Sequence, residues 1–208
     1  MTYTSYVLSN RPHMFEPIKT SMHPTPVKYF NGEGYPSFSK IINECVTKCP
    51  TETVIMMGDK VLPTSVHVET TVRLLNQGFA FVGLYRFGFF GFKKELFRRI
   101  GMMDERFVGG GCEDEDIYLR LKEANLAAYI AQRVPYTKMP SSWDYTKSKP
   151  HFLAKWVVDQ QANTITRTIS DEVYDYDLGP SISNEWMPWN KSYLKASKAM
   201  GYIKYDVK

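Results

Sequence analysis

The stretch "TETVIMMGD", residues 51–59, contains an almost uninterrupted apolar run that ends in Gly58 and Asp59. Strands that are buried on both faces of a parallel sheet have such runs, whereas strands with one solvated face alternate apolar and polar residues. The segments on either side, residues 37–49 and 65–78, carry apolar side chains at the spacing of amphipathic helices. A buried strand between two helices predicts an α/β fold with a mostly parallel sheet.

The rest of the chain continues this alternation of strands and helices. Further strands are predicted at residues 3–10, 26–34 and 79–92. Further helices are predicted at residues 14–22, 93–101, 113–125 and 152–161. The expected architecture is a single α/β domain, residues 1–154, whose mostly parallel central sheet is flanked by helices. An irregular C-terminal extension, residues 155–208, is expected to pack on the same domain.

Composition narrows the class of protein. The 208 residues are 43% hydrophobic and 14% aromatic, which is typical of a globular protein. The net charge of +4 comes without a dense basic run, so no nucleic-acid partner is predicted. Three cysteines, Cys45, Cys49 and Cys112, lack the spacing of a zinc site, and their odd number favours a reducing compartment. No signal peptide and no membrane span are recognised, so a cytoplasmic location is expected.

The most unusual stretch is "FVGGGCEDEDIYLRLKEANL", residues 107–126, where four carboxylates follow a glycine run and open a predicted helix. One or two acidic residues would satisfy the helix N-terminus, so four exceed that need. A calcium loop is disfavoured because the stretch lacks the alternating oxygen ligands of an EF-hand. Contiguous side chains point in different directions, so only one or two of these carboxylates can face the same ligand. Crowding of like charges raises carboxylate pKa values.

Two other candidate positions follow predicted strands. Asn10 and Arg11 come after the first strand, and Asp59 comes after the buried one. In open α/β sheets, ligands bind at the carboxyl ends of the strands. Taken singly, Asn10 and Arg11 are better explained as turn and surface residues, and Asp59 is equally consistent with a turn.

Residues 88–126, "GFFGFKKELFRRIGMMDERFVGGGCEDEDIYLRLKEANL", resemble the carboxyl-side signature of GT-A fold glycosyltransferases. The resemblance is to the inverting β-1,4-galactosyltransferase-type and family 2-like enzymes, in which a glycine-flanked strand and a helix precede a Gly-Gly-x-Glu-Asp pattern. More loosely, "VLSNRP" resembles their first nucleotide-binding loop, and "VIMMGDKVLP" lies where they carry an Asp-x-Asp metal motif. The resemblance implies a Rossmann-like GT-A domain in a minimal form, of the kind found in viral and phage genomes.

The resemblance also implies a donor site. A UDP-sugar would lie against Ser9, Asn10 and Arg11, and Gly88 and Gly91 would allow its close approach. The diphosphate would be held by Mn²⁺ or Mg²⁺ bound to Asp59, with His151 as a further ligand or else a plain surface imidazole. Here the metal motif is reduced to a single aspartate beside Lys60, which can itself neutralise phosphate charge.

On the acceptor side, the resemblance implies that Asp114 is the general base of an inverting transfer, with Glu113 beside it. Gly110, Gly111 and Asp116 are expected to contact sugar, and Trp143 either stacks on a sugar ring or fills the core. The acceptor class, whether glycan, protein or lipid, is left open.

Two alternatives to a glycosyltransferase stay open. A degenerate nucleotide- or carbohydrate-binding module is favoured if Asp59 cannot hold metal. A nucleotidyltransferase would carry a glycine-rich basic loop after the first strand, and "VLSNRPHMF" has no glycine there.

Overall fold

The computed structural model describes residues 2–131, 146–159, 162 and 164–179. The strands are β1 (Tyr3–Ser9), β2 (Lys28–Asn31), β3 (Thr53–Gly58), β4 (Phe81–Phe87), β5 (Phe89–Lys93), β6 (Ala128–Ile130), β7 (Trp156–Asp159) and β8 (Thr164–Arg167). The α-helices are α1 (Phe15–Met22), α2 (Phe38–Lys48), α3 (Ser65–Asn76), α4 (Glu95–Ile100), α5 (Glu113–Glu123) and α6 (Lys149–Lys155). The predicted mixed α/β fold with a mostly parallel, helix-flanked sheet is confirmed.

Within the described residues, the central sheet has six strands in the order β2-β1-β3-β5-β4-β6. Strands β2, β1, β3, β4 and β6 are parallel, and β5 is inserted antiparallel between β3 and β4. From β1 the chain goes first to β2 on one side and later to β3 on the other. The strand order therefore reverses beside β1, which creates a crevice at the carboxyl ends of β1 and β3.

The sheet is held by apolar packing on both faces. Four consecutive residues of β3, Val54 to Met57, are fully buried, as the apolar run predicts. The rings of Phe81, Phe90 and Phe92 stack nearly parallel across β4 and β5, with centroids 5.7–6.3 Å apart. Helix α2 begins at a side-chain cap, because the Ser37 hydroxyl accepts a hydrogen bond from the backbone N–H of Lys40.

The glycine run that leads into α5 has a backbone that other residues rarely adopt. Gly109, Gly110 and Gly111 have φ values of 84°, 82° and 103°, and Cys112, at the helix N-cap, is also left-handed with φ of 66°. Side chains at three successive positive φ angles would be strained. The glycines are therefore needed to form this loop, whatever binds beside it.

The C-terminal part differs from the sequence prediction. The helix expected at residues 152–161 is instead α6, which ends at Lys155, followed by strand β7. Val157 and Val158 favour extended backbone, and β7 pairs antiparallel with β8. No helix among the described residues is long and apolar enough to span a membrane. Trp143, predicted to contact sugar, lies outside the described residues.

Candidate active site

A cleft of about 670 Å³ opens at the reversal of the strand order. Its walls come from the carboxyl ends of β1 and β3, the segment that leads from β2 into α2, the turn between β4 and β5, and the N-terminus of α5. Because β5 runs antiparallel, its first residues lie at the same edge of the sheet as the last residues of β3. This topology brings five distant segments of the chain to one site.

Ten of the residues predicted from the sequence line this cleft. They are Ser9, Asn10, Arg11, Asp59, Lys60, Gly88, Gly110, Gly111, Glu113 and Asp114. A side chain at Gly88 would meet the Val61 side chain at 3.0 Å and the Tyr85 carbonyl oxygen at 3.1 Å, so this turn requires a small residue.

Asp59 lies at the centre of a hydrogen-bonded cluster. The Arg11 guanidinium binds both of its carboxylate oxygens, with Nη2 at 2.6 Å from Oδ1 and Nε at 2.9 Å from Oδ2. The Ser9 hydroxyl donates to Oδ2 and accepts from the Arg11 backbone N–H at 2.8 Å. Burial raises the pKa of Asp59, but the bonds from Arg11 and Ser9 and the charges of Arg11 and Lys60 outweigh burial and lower it.

Glu113 and Asp114 open α5 and line the same cleft. Only 8% of Glu113 is exposed, and its Oε2 has no hydrogen-bond partner among the described residues. Burial and the neighbouring charge of Asp114 raise the pKa of Glu113 to about 7. Hydrogen bonds from the backbone N–H groups of Glu113 and Gly111 and the charge of Lys60 lower this pKa, but by less. The cleft therefore holds one carboxyl group that exchanges its proton near neutral pH.

The described residues do not fit a divalent cation. Such ions need oxygen ligands with open lone pairs, and both oxygens of Asp59 already face the guanidinium of Arg11. No group of three or more histidine, cysteine, aspartate or glutamate side chains in the described part of the chain is arranged to hold a metal. His151, the other predicted ligand, contacts Asp104 at 3.1 Å and packs edge-on against Phe107. It is not among the residues that line the cleft.

Two further predicted residues lie away from the cleft. Gly91 is buried in the middle of β5, where a side chain would meet Cγ2 of Thr71 at 2.5 Å, so it permits α3 to pack on the sheet rather than contacting a donor. Asp116 is fully buried and points into the domain interior. Its carboxylate accepts from Trp156 Nε1 at 2.8 Å and pairs with Lys155 at 2.7 Å, so it is not positioned to contact an acceptor.

A family model for the N-terminal domain of galactosyltransferase matches residues 76–142. No curated protein matches the chain. Two structures of Drosophila β1,4-galactosyltransferase 7 are similar, each at 14% identity over 68% of this chain and 72% of theirs. Their TM-scores are 0.47, for a mutant in complex with manganese, UDP-Gal and xylobiose, and 0.46, for the catalytic domain in complex with xylobiose. The family match includes the glycine-rich acidic stretch and the β4–β5 turn, and it supports a glycosyltransferase-type domain.

Sequence analysis missed several residues of the cleft wall, among them Tyr35, Tyr85 and Arg86. The Tyr85 side chain is positioned by a hydrogen bond, because its hydroxyl lies 2.6 Å from His67 Nε2. The His67 ring is positioned in turn, since its Nδ1 accepts a hydrogen bond from the Thr64 backbone N–H. The glycines around residues 79–92 indicated interrupted strands, but they did not indicate that the turn between them faces the crevice. That placement follows from the antiparallel insertion of β5, which has no local sequence signal.

Proposed function

We propose that the protein is a glycosyltransferase that moves a sugar from a nucleotide-sugar donor, a UDP-sugar, to an acceptor hydroxyl. The observation that carries the proposal is the cleft at the strand-order reversal, which is lined by Arg11 and Lys60 and by the Glu113–Asp114 pair and is large enough for such a donor. The match of residues 76–142 to a galactosyltransferase domain supports the same class of reaction.

The acid–base step is assigned to Asp114. Its carboxylate accepts the proton of the acceptor hydroxyl as that oxygen attacks the anomeric carbon. The new bond joins the acceptor oxygen to the anomeric carbon, and the bond from that carbon to the phosphate oxygen breaks. The nucleoside diphosphate leaves with the bonding electron pair. Attack from the face opposite the leaving group inverts the configuration of the anomeric carbon.

Glu113 is assigned a supporting role beside the base. With a pKa of about 7, its carboxyl group is protonated in part of the molecules at neutral pH and can then donate a hydrogen bond to a sugar hydroxyl. Because Glu113 is buried, its position is fixed by α5, which reduces the reorganisation that binding requires. The donor nucleotide is assigned to the wall formed by Ser9, Asn10 and Arg11, where Arg11 is fixed by Asp59.

The proposal predicts that Asp114→Asn lowers transfer by about 10²- to 10⁴-fold and leaves UDP affinity unchanged, because only the proton acceptor is removed. UDP-galactose is the first donor to test, in view of the family match. Donor turnover is measured as the amount of UDP released, and UDP affinity is measured by calorimetry.

The matched control is Glu115→Gln, a neighbouring carboxylate on the same helix turn that does not line the cleft. It should retain transfer. Full activity in Asp114→Asn would remove Asp114 as the base. Nucleotide binding without turnover of any sugar donor would instead favour a binding module over an enzyme.

A further inference from the structure

We infer that Lys60 and Arg86 bind the diphosphate of the donor in place of a divalent cation, so that nucleotide binding by this cleft is independent of metal. This inference rests on the proposed function, since it specifies how the same donor is held. Three observations support it: the hydrogen bonds that Asp59 already accepts, the position of Lys60 in the cleft, and the backbone conformation and position of Arg86.

Asp59 is the one acidic residue that follows β3 directly, and three hydrogen bonds from Arg11 and Ser9 occupy most of the acceptor capacity of its carboxylate. A bidentate guanidinium–carboxylate pair is among the stronger charge-assisted contacts in proteins. A metal ion at Asp59 would either displace Arg11 or lie beside its guanidinium, about a third of which is exposed, and the two positive charges would repel each other. The Ser9 hydroxyl also donates a hydrogen bond to the Asp59 carboxylate. Asp59 therefore acts as a support for Arg11 rather than as an open ligand.

Lys60 places a fixed positive charge in the same part of the cleft. It is half-buried, lines the cleft, and its charge acts on the carboxyl groups of both Asp59 and Glu113. A divalent ion bound here would be repelled by the ammonium group. An ammonium group is itself a suitable partner for phosphate oxygens, which need positive charge and hydrogen-bond donors.

Arg86 supplies the second cation from the tip of the β4–β5 hairpin. Its backbone has φ of 53°, and the turn is closed by the Gly88 N–H, which donates to the Tyr85 carbonyl at 2.8 Å. A non-glycine residue in left-handed conformation is uncommon, and strained positions of this kind cluster at functional sites. Arg86 is exposed, lines the cleft, and forms no ion pair within residues 2–131, 146–159, 162 and 164–179.

The net charge of the side chains that line the cleft favours the binding of an anion. Arg11, Lys60 and Arg86 face Asp59, Asp114 and Glu113. Arg11 and Asp59 neutralise each other, and Glu113 is partly protonated at neutral pH. Lys60 and Arg86 therefore outweigh the acidic charge that is left. A diphosphate bound here completes the neutralisation, and its leaving-group charge is stabilised by the same two side chains.

The test is calorimetric titration of the full chain with UDP, in EDTA and in Mn²⁺, for the wild type and three variants. Lys60→Ala and Arg86→Asn each remove one cation, and asparagine tolerates the left-handed backbone at position 86. Lys28→Ala is the control, because Lys28 is exposed at the opposite end of β2. The wild type should bind UDP equally in EDTA and Mn²⁺. Lys60→Ala and Arg86→Asn should each weaken binding about tenfold or more, and Lys28→Ala should not.

The outcomes separate this inference from the proposed function. UDP binding that requires Mn²⁺, or that is unchanged in both cation variants, would overturn the inference and leave the transferase proposal intact. An absence of UDP binding under both conditions would overturn the donor site itself. A further variant, Lys60→Asp, replaces the cation with a carboxylate, and UDP binding should then become weak in EDTA and be partly restored by Mn²⁺.

Discussion

At the scale of a single residue, the carboxyl group of Glu113 makes the stability of the protein depend on pH. Its folded-state pKa of about 7 lies above the value of about 4.3 in an unfolded chain. The protonated form is thus favoured by folding, and this stabilisation is complete below about pH 4 and is lost as the pH rises through 7. Glu113→Gln cannot ionise, so its free energy of unfolding should exceed that of the wild type by about 3–4 kcal/mol at pH 8 and by about 1 kcal/mol at pH 5.

Urea denaturation at pH 5, 6, 7 and 8 measures this difference, and Glu115→Gln, which removes a carboxylate from the same helix turn, is the matched variant for comparison. A difference between Glu113→Gln and wild type that stays constant across this range would contradict the raised pKa. The sequence predicts raised pKa values among these four carboxylates, because crowding by like charges is the cause that a sequence reveals. Burial is the larger cause at Glu113, and burial depends on how α5 packs, which neighbouring residue types do not reveal.

Helix α3 packs on strand β5, which follows the β4–β5 turn of the cleft wall. The absence of a side chain at Gly91 permits this contact. A side chain here would come within 2.5 Å of Thr71 Cγ2 and 3.3 Å of Ile55 Cγ1. Gly91→Ala should therefore lower the free energy of unfolding by about 1–3 kcal/mol through overpacking. UDP affinity should not change, because Gly91 does not line the cleft. Chemical denaturation and UDP titration of the same preparation measure both effects.

A compensating change tests the cause. Thr71→Ser removes the methyl group that the new side chain would meet and retains the hydroxyl, so the double variant should regain part of the lost stability. Additive losses in the two variants would show that this contact is not the reason. Equal stability of Gly91→Ala and wild type would also count against it.

At the scale of elements, the strands and helices up to α5 were predictable because each has its own periodicity, cap or terminating glycine. The C-terminal hairpin was not, since "FLAKWVVDQQ" contains both the apolar spacing of a helix and the β-branched pair Val157–Val158. Pairing of β7 with β8 decides between these tendencies. The cleft was largely predictable for a similar reason, as the ends of buried strands in α/β folds are binding positions by topology. Arg86 was not predictable, because its location depends on the order in which strands pair.

At the scale of the whole molecule, a buried ion network joins the loop after α4, helix α5 and the C-terminal segment. Lys155 is fully buried, and its Nζ lies 2.9 Å from Asp104, 2.7 Å from Asp116 and 2.5 Å from Asp171. Burial raises the pKa of Asp104, but its contacts with Arg106, Lys155 and His151 outweigh burial and hold that pKa well below its usual range. The sequence separation of these partners explains why no local pattern predicted the network.

Removal of the central cation should destabilise the whole domain. Lys155→Met keeps the apolar stem and leaves two buried carboxylates without their shared partner, which should cost about 3–5 kcal/mol of unfolding free energy at pH 7. Because the lowered pKa of Asp104 stabilises the fold above the unfolded pKa of an aspartate and this effect is lost as the pH falls, the difference from wild type should shrink in acid. Lys149→Met, an exposed position on the same helix, is the control. Equal denaturation midpoints for Lys149→Met and Lys155→Met would show that the network does not hold the C-terminal segment to the domain, whereas a loss confined to Lys155→Met would identify it as the connection.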